Sequence, residues 1–390
     1  MNANTPITMP VLPVEAYTYQ EWFDKEQKYI FSRTWQFAGF VEDLKESGDY
    51  LTVQAGLNNI LVIYTEDKQL KAFHNVCRHR GTQLLRAIGK TKKVITCPYH
   101  DWTYNLDGKL CGVPEYKTQF QGLDKNKLCL HKASVGVWRG MIFVHPDRNP
   151  PETLSSCFGI VEPYLGAHQP EKLVEYKETR SRHEINANWK IVVENYIDGY
   201  HLAHLHSKTL YMYDHRKQQT GFAGNHFHFY EPLAKSYGKD IKNNSPYPLI
   251  DHVPLEKIGA YVPMLFPNLG LSETESTWSI FHIIPIAPDK CVVEIRTKLM
   301  DISSWDFMVQ EWKSANYFQS FEGDKYKTGD KNDPMASGDF MTEDIYVCEQ
   351  QQKSFRSPYY SVGAIAKDLE QSVYQYQRNI KNYLEKESLH

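Results

Sequence analysis

An α+β fold is predicted for this chain of 390 residues, on three observations. From about residue 36 to 150, short apolar runs alternate with turn residues, the texture of a small all-β domain. Asn149-Pro150-Pro151 then interrupts the chain. Beyond it, strand-length and helix-length apolar patterns mix. The organisation expected is an N-terminal helical segment over 1–36 that packs on the larger domain, a β domain over 37–150 and a larger mixed domain over 151–390.

Residues 14–35 read as helix. Thr18 and Glu21 have capping-box spacing, and Trp22, Phe23, Tyr29 and Ile30 follow as apolar positions. In the β domain, 50–53, 60–65, 94–96 and 141–144 are strand candidates, and Asn105-Leu106-Asp107-Gly108 is a turn signal. In the larger domain, 278–286 and 291–299 flank Ala287-Pro288-Asp289-Lys290, a hairpin candidate. Leu369, Val373, Tyr376, Ile380, Tyr383 and Leu384 recur at helical spacing, so the last helix is amphipathic and expected to pack on the core.

Composition narrows the function. The chain is 41% hydrophobic and 23% charged, within the globular range, which excludes disorder, collagen and coiled coil as whole-chain descriptions. Its longest apolar runs, such as 60–64, are strand-length, whereas a membrane span needs about 20 residues. Residues 1–13 carry no Lys or Arg and no long apolar core, so no secretory signal is expected. A net charge of −3 gives no footprint for nucleic acid or an anionic membrane. Seven cysteines are an odd number that argues against a disulfide framework and for a reducing cytoplasm. Some are then small buried hydrophobes and others are candidate metal ligands. The 26 Tyr, 18 Phe and 8 Trp suit large cores and pockets for organic ligands.

Cys77-Arg78-His79-Arg80-Gly81 and Cys97-Pro98-Tyr99-His100 form the first constellation: C-x-H, 17 intervening residues, then C-x-x-H. Two thiolates and two imidazoles on tight loops suit zinc, copper(I) or an iron–sulfur centre. A structural Cys₂His₂ zinc site is one reading. A Rieske [2Fe–2S] cluster, with two Cys on one iron and two His on the other, is the second. Each loop brings one Cys and one His, and the C-x-H step is tighter than the usual zinc-finger step, which favours the cluster. These loops, continuing through Asp101-Trp102-Thr103-Tyr104, resemble the cluster-binding loops of Rieske non-haem iron oxygenases, the ring-hydroxylating oxygenase α-subunits. Phe31-Ser32-Arg33-Thr34-Trp35 upstream and Asn105 to Leu110 downstream extend the resemblance. Asp101 departs from it, standing where the family usually has Gly.

The second constellation lies in 188–206, Asn188-Trp189-Lys190 through Asp198-Gly199-Tyr200-His201-Leu202-Ala203-His204-Leu205-His206. Non-haem Fe(II) oxygenases hold iron with two His and one carboxylate and leave positions open for oxygen. On a helix, Asp198 and His201 share a face, and His204, three beyond His201, competes with His206 for a ligand position. Helical geometry leaves that choice open. The resemblance to the same family's D-x-x-H-x-x-x-x-H motif implies His201 and His206 as iron ligands and His204 as a bystander, with the chain leaving the helix before His206. It implies for Asp198 a hydrogen bond to His201 and to His100 of a neighbouring subunit, a carboxylate that fixes an imidazole tautomer. The third ligand is implied in Thr342-Glu343-Asp344-Ile345, at Asp344, with Glu343 and Asp339 as rivals.

The resemblance spans nearly the whole chain. It implies a small all-β Rieske cluster domain and a larger catalytic domain with an antiparallel sheet flanked by helices. It also implies a terminal oxygenase: electrons from a reductase or ferredoxin, ultimately NAD(P)H, serve O₂ chemistry on a small organic molecule at mononuclear Fe(II). A homotrimer is the expected assembly. The reaction is a mono- or dioxygenation or an oxidative demethylation. The pocket is expected near His201 and His206 and in parts of 211–230 and 261–271. Tyr211, Tyr213, Phe222, Phe227, Phe229 and Tyr230 there would face an arene, cage a quaternary ammonium, or be ordinary core. Two rival readings are a Rieske electron carrier without catalytic iron and a zinc-stabilised binding protein. Cys111, Cys129, Cys157, Cys291 and Cys348 are expected to be packing residues.

Overall fold

The structure is a computed structural model that describes residues 8–310 and 333–385. Internal contacts divide the chain into Asp24–Gly159 and, as a second unit, Met1–Phe23 with Ile160–His390. The division falls within helix α1 (Gln20–Glu26). The N-terminal stretch is not the single capped helix that its pattern predicts. A 3₁₀ turn, Val14–Tyr17, precedes α1, and a π turn, Gln27–Phe31, follows it. Thr18 caps nothing: its hydroxyl donates back to the Val14 carbonyl at 3.2 Å, and such back-bonding competes with capping.

The Asp24–Gly159 unit is built of antiparallel strands: β1 (Gln36–Phe40), β2 (Asp49–Ala55), β3 (Asn58–Tyr64), β4 (Leu70–His74), β5 (Ile88–Lys90), β6 (Val94–Thr96), β7 (Thr103–Asn105), β8 (Leu110–Gly112), β9 (Lys132–Trp138) and β10 (Met141–His145). Their order is β1-β10-β9-β4-β3-β2-β5 in one sheet and β6-β7-β8 in another. The unbroken apolar run of β3 follows from its position between β2 and β4, with both faces covered. Ile60 and Val62 point into one core with Leu51 and Ile142. Leu61 and Ile63 point into the other, with Cys77, Cys97, Trp102 and Tyr104. Between β7 and β8, Gly108 adopts a φ of +79°, and a Cβ there would meet Phe73 at 2.5 Å. That turn needs glycine twice over.

The second unit centres on a twisted antiparallel sheet. Its strands are β11 (Val174–Ile185), β12 (Gln219–Ala223), β13 (His226–Pro232), β14 (Gly259–Tyr261), β15 (Met264–Leu265), β16 (Leu269–Glu273), β17 (Trp278–Ala287) and β18 (Lys290–Leu299). The order is β11-β18-β17-β16-β14-β13-β12, with β15 paired to β13 and β16. β17 and β18 form the long hairpin expected from sequence, in register from Trp278 opposite Lys298. Helices α2 (Trp189–Ile197), α3 (Leu202–Leu205), α4 (Phe340–Ser354) and α5 (Gln371–Glu385) are the ones of this unit that bear on the site. On α5, Tyr376, Ile380 and Leu384 are buried, as their spacing predicts, while Leu369 lies before the helix and is 44% exposed. Among the described residues no helix is long and apolar enough to cross a membrane.

Candidate active site

Two loops of the first unit carry the Cys/His pairs. Each closes on itself in the same way. Gly81 N–H donates to the Cys77 carbonyl at 3.0 Å, and Asp101 N–H donates to the Cys97 carbonyl at 3.1 Å. Both closing residues are left-handed, Gly81 at φ +79° and Asp101 at +53°. Asp tolerates this conformation better than most side chains, which explains how it can stand in the place of Gly. Cys77 and Cys97 are buried, their thiols adjacent. Burial pushes the Cys97 thiol up. Tyr104 Oη lies 3.4 Å from Cys77 Sγ and accepts from Arg78 N–H at 3.0 Å. The His79 and His100 rings are 4.7 Å apart, and Trp102 stacks on His79 at 4.6 Å. Burial, His100 and Arg80 hold His79 below the usual imidazole range. The Nδ1 atoms of His79 and His100 are both buried without a hydrogen-bond partner among the described residues. Two orphaned imidazole nitrogens beside two buried thiols fit a Rieske cluster.

In the second unit, α2 stops at Ile197. Asn188 caps its start, accepting from Lys190 N–H at 3.0 Å. Asp198 is already extended, at ψ 115°, so the shared helical face expected for Asp198 and His201 does not exist. The two meet instead across the bend: His201 Nδ1 donates to Asp198 Oδ2 at 3.0 Å. His201 and His206 then flank the single-turn α3. His206 is 1% exposed, whereas His204 turns outward against Tyr200.

Helix α4 brings the acids, and each of the three candidates does something different. Asp339 caps the helix, accepting from Met341 and Thr342 N–H. Glu343 Oε2 accepts from His206 Nδ1 at 2.9 Å and from Thr209 Oγ1 at 3.2 Å. Asp344 Oδ1 lies 3.0 Å from His206 Nε2 and 3.8 Å from His201 Nε2, and it accepts from Asn195 Nδ2 at 3.2 Å. One ligand atom each from His201, His206 and Asp344 falls within 4.8 Å of the others. Burial disfavours a charged His206, but the Asp344 and Glu343 carboxylates outweigh it and push the imidazole up to about 9. A neutral imidazole has one N–H and cannot donate to both acids. Only the imidazolium could donate to both, and a metal ion on Nε2 would take the place of its second proton. Two imidazoles with outer nitrogens tied to carboxylates, facing a third carboxylate, fit a facial Fe(II) site.

These groups open on a cavity of about 640 Å³, within the range for small-molecule sites. Val192, Phe281, Ile283 and Ile295 give it apolar walls, and Cys348 lines it one turn beyond Asp344. Of the aromatics expected there, Tyr213 and Phe229 line it, while Phe227 is buried under the sheet. Asn195, Thr209, Glu231, Tyr237 and Glu275 belong to the site or its walls and escaped sequence reasoning. Only Asn195 left a signal, since it lies within the 188–206 segment that carries the iron motif.

Residues 171–386 match the family described as "Ring hydroxylating alpha subunit (catalytic domain)", and 34–132 match "Rieske [2Fe-2S] domain". The chain belongs to the Rieske non-haem iron oxygenase α-subunits. A chloroplastic choline monooxygenase of Atriplex hortensis is 27% identical over 93% of this chain and 76% of its own length. The carnitine monooxygenase oxygenase subunit of Acinetobacter baumannii is 34% identical over 50% of this chain and 52% of its own length. A crystal structure of a quaternary ammonium Rieske monooxygenase with L-carnitine shares the fold, with a TM-score of 0.73 and 23% identity, covering 98% of this chain and 97% of that one. As a Rieske oxygenase, the chain is the terminal component of an oxidoreductase. It uses O₂ and reductase-supplied electrons to oxygenate a small organic substrate. Its cofactors are a Rieske [2Fe–2S] cluster and mononuclear iron. The electron-carrier and zinc-protein readings are thereby set aside.

Proposed function

We propose that this oxygenase acts on a small organic cation, with iron held by His201, His206 and Asp344 and the cluster held by Cys77, His79, Cys97 and His100. The observation that carries the iron assignment is the convergence of the three donor atoms on the wall of the 640 Å³ cavity. Held there, the cluster would supply single electrons and the iron would supply O₂ activation. The chain's own residues bind and orient. Asp198 holds the His201 tautomer through Nδ1, Glu343 does the same for His206, and Asn195 fixes the Asp344 carboxylate. We further propose assembly as a homotrimer in which His100 of one copy approaches Asp198 of the next, so that electrons cross between subunits.

The cationic substrate is favoured by charge. Six acids line the cavity, Glu178, Asp198, Glu231, Glu275, Asp339 and Asp344, and among the described lining residues there is no Lys or Arg. A single-sign pocket with low-dielectric walls concentrates the opposite charge. The choline and carnitine monooxygenases among its relatives agree with that reading. Substrate-stimulated O₂ uptake by the reconstituted enzyme tests it, with choline and naphthalene as probes. Stimulation by choline is expected. Stimulation by naphthalene alone would return the enzyme to the arene hydroxylases.

A further inference from the structure

At the turn after β16, Glu275 is 4% exposed and lines the cavity. Tyr237 Oη donates to its Oε1 at 2.7 Å. The Tyr213 phenol stands beside the carboxyl without meeting hydrogen-bond geometry, and Oε2 has no partner among the described residues. Burial pushes this carboxyl up. An ionised carboxylate buried with one oxygen unpaired is unfavourable by roughly several kcal/mol unless a positive group joins it. The nearby Glu231 does not share this need, because His215 Nδ1 donates to it at 2.8 Å. Tyr237 and Tyr213 stand at this carboxyl, Tyr247 and Phe229 also line the cavity, and aromatic faces attract alkylammonium groups.

We propose that Glu275 is the anchor for the substrate's cationic head, framed by Tyr213 and Tyr237, and that the substrate is an alkylammonium without a carboxylate. The second clause follows from the six acids that line the cavity: a zwitterion would place its carboxylate among them. The inference rests on the oxygenase reading above and goes beyond it by naming the residue and by separating choline-like from carnitine-like substrates.

The test is anaerobic isothermal titration calorimetry on enzyme carrying its cluster and iron. The probes are choline, its neutral isostere 3,3-dimethylbutan-1-ol, and L-carnitine. Wild-type enzyme is expected to bind choline at least about tenfold more tightly than the isostere, the effect of ~1.4 kcal/mol of charge recognition, and more tightly than carnitine. Glu275→Gln is expected to bind choline and the isostere alike, with iron and sulfide contents unchanged. Glu275→Asp keeps the charge and shortens its reach, so an intermediate preference is expected. A full choline preference in both variants overturns the anchor and leaves the organic-cation reading standing. Tighter binding of carnitine than of choline overturns the second clause. No charge preference in wild-type enzyme overturns the anchor and the cation reading together. The wild-type comparison decides these last two even if a variant does not fold.

Discussion

At His206 two carboxylates from consecutive positions meet one imidazole, Glu343 at Nδ1 and Asp344 at Nε2. Consecutive helical residues point about 100° apart, so the pair straddles the ring and only one acid faces His201. Asp344→Ala is therefore expected to lose the mononuclear iron and keep the cluster, leaving about two iron and two sulfide per chain. Glu343→Gln is expected to keep iron but bind it ~10- to 100-fold more weakly, the usual effect of removing such a partner. His204→Ala is expected to change neither. Metal analysis after Fe(II) loading and gel filtration reads all three. Asp198→Asn is expected to keep both metal centres and cut coupled turnover, seen as O₂ consumed per product formed. Normal turnover there would remove Asp198 from the electron route. The cluster of Asp198 with nearby histidines was visible in sequence because it is local to one bend, but the choice of His206 over His204 came from the family resemblance. Choosing Asp344 over Glu343 on physical grounds needs the rotation of α4 against that bend, which is a long-range fact. Glu275 left no pattern, since its role comes from a missing partner rather than from spacing.

Helix α2 leads into the iron site and is tied down by buried polar groups. Glu194 accepts from Tyr17 Oη at 2.6 Å and from Gln377 Nε2 at 3.2 Å. Burial pushes its carboxyl up to about 7, against those bonds and the Lys190 charge. The folded state thus binds this proton more tightly than the unfolded state, whose Glu titrates near about 4.3. The contribution of Glu194 to stability accordingly falls as pH rises from about 4.5 through about 7. Glu194→Gln carries no such dependence, so its Tm relative to wild type is expected to climb between about pH 5 and pH 8 in parallel thermal scans. An unchanged difference would show that Glu194 keeps its ordinary titration. The strands and the hairpin β17–β18 were legible because their apolar runs and turn residues are local signals. The N-terminal helix was misjudged where local signals compete: Thr18 has capping-box spacing, yet its hydroxyl prefers the Val14 carbonyl.

For the whole molecule, the assignments require about three iron and two acid-labile sulfide per chain, with a Rieske-type EPR signal on reduction. Zinc without sulfide would overturn them together. Sedimentation of the purified protein tests the proposed trimer. The two cluster loops carry one more implication. Their shape is set by main-chain bonds, Gly81 to Cys77 and Asp101 to Cys97, over a core that includes Phe73, Trp102 and Tyr104. A zinc finger needs its ion to fold, whereas these loops also have main-chain bonds and a packed core to hold them. Stripping the protein with a chelator should leave its near-ultraviolet circular dichroism largely in place, and iron with sulfide should restore the cluster without a refolding step. Asp101→Val, which strains the left-handed closure by about 1–2 kcal/mol, should slow that refilling where Asp101→Gly does not. Maturation of this enzyme would then be a loading reaction on a finished fold.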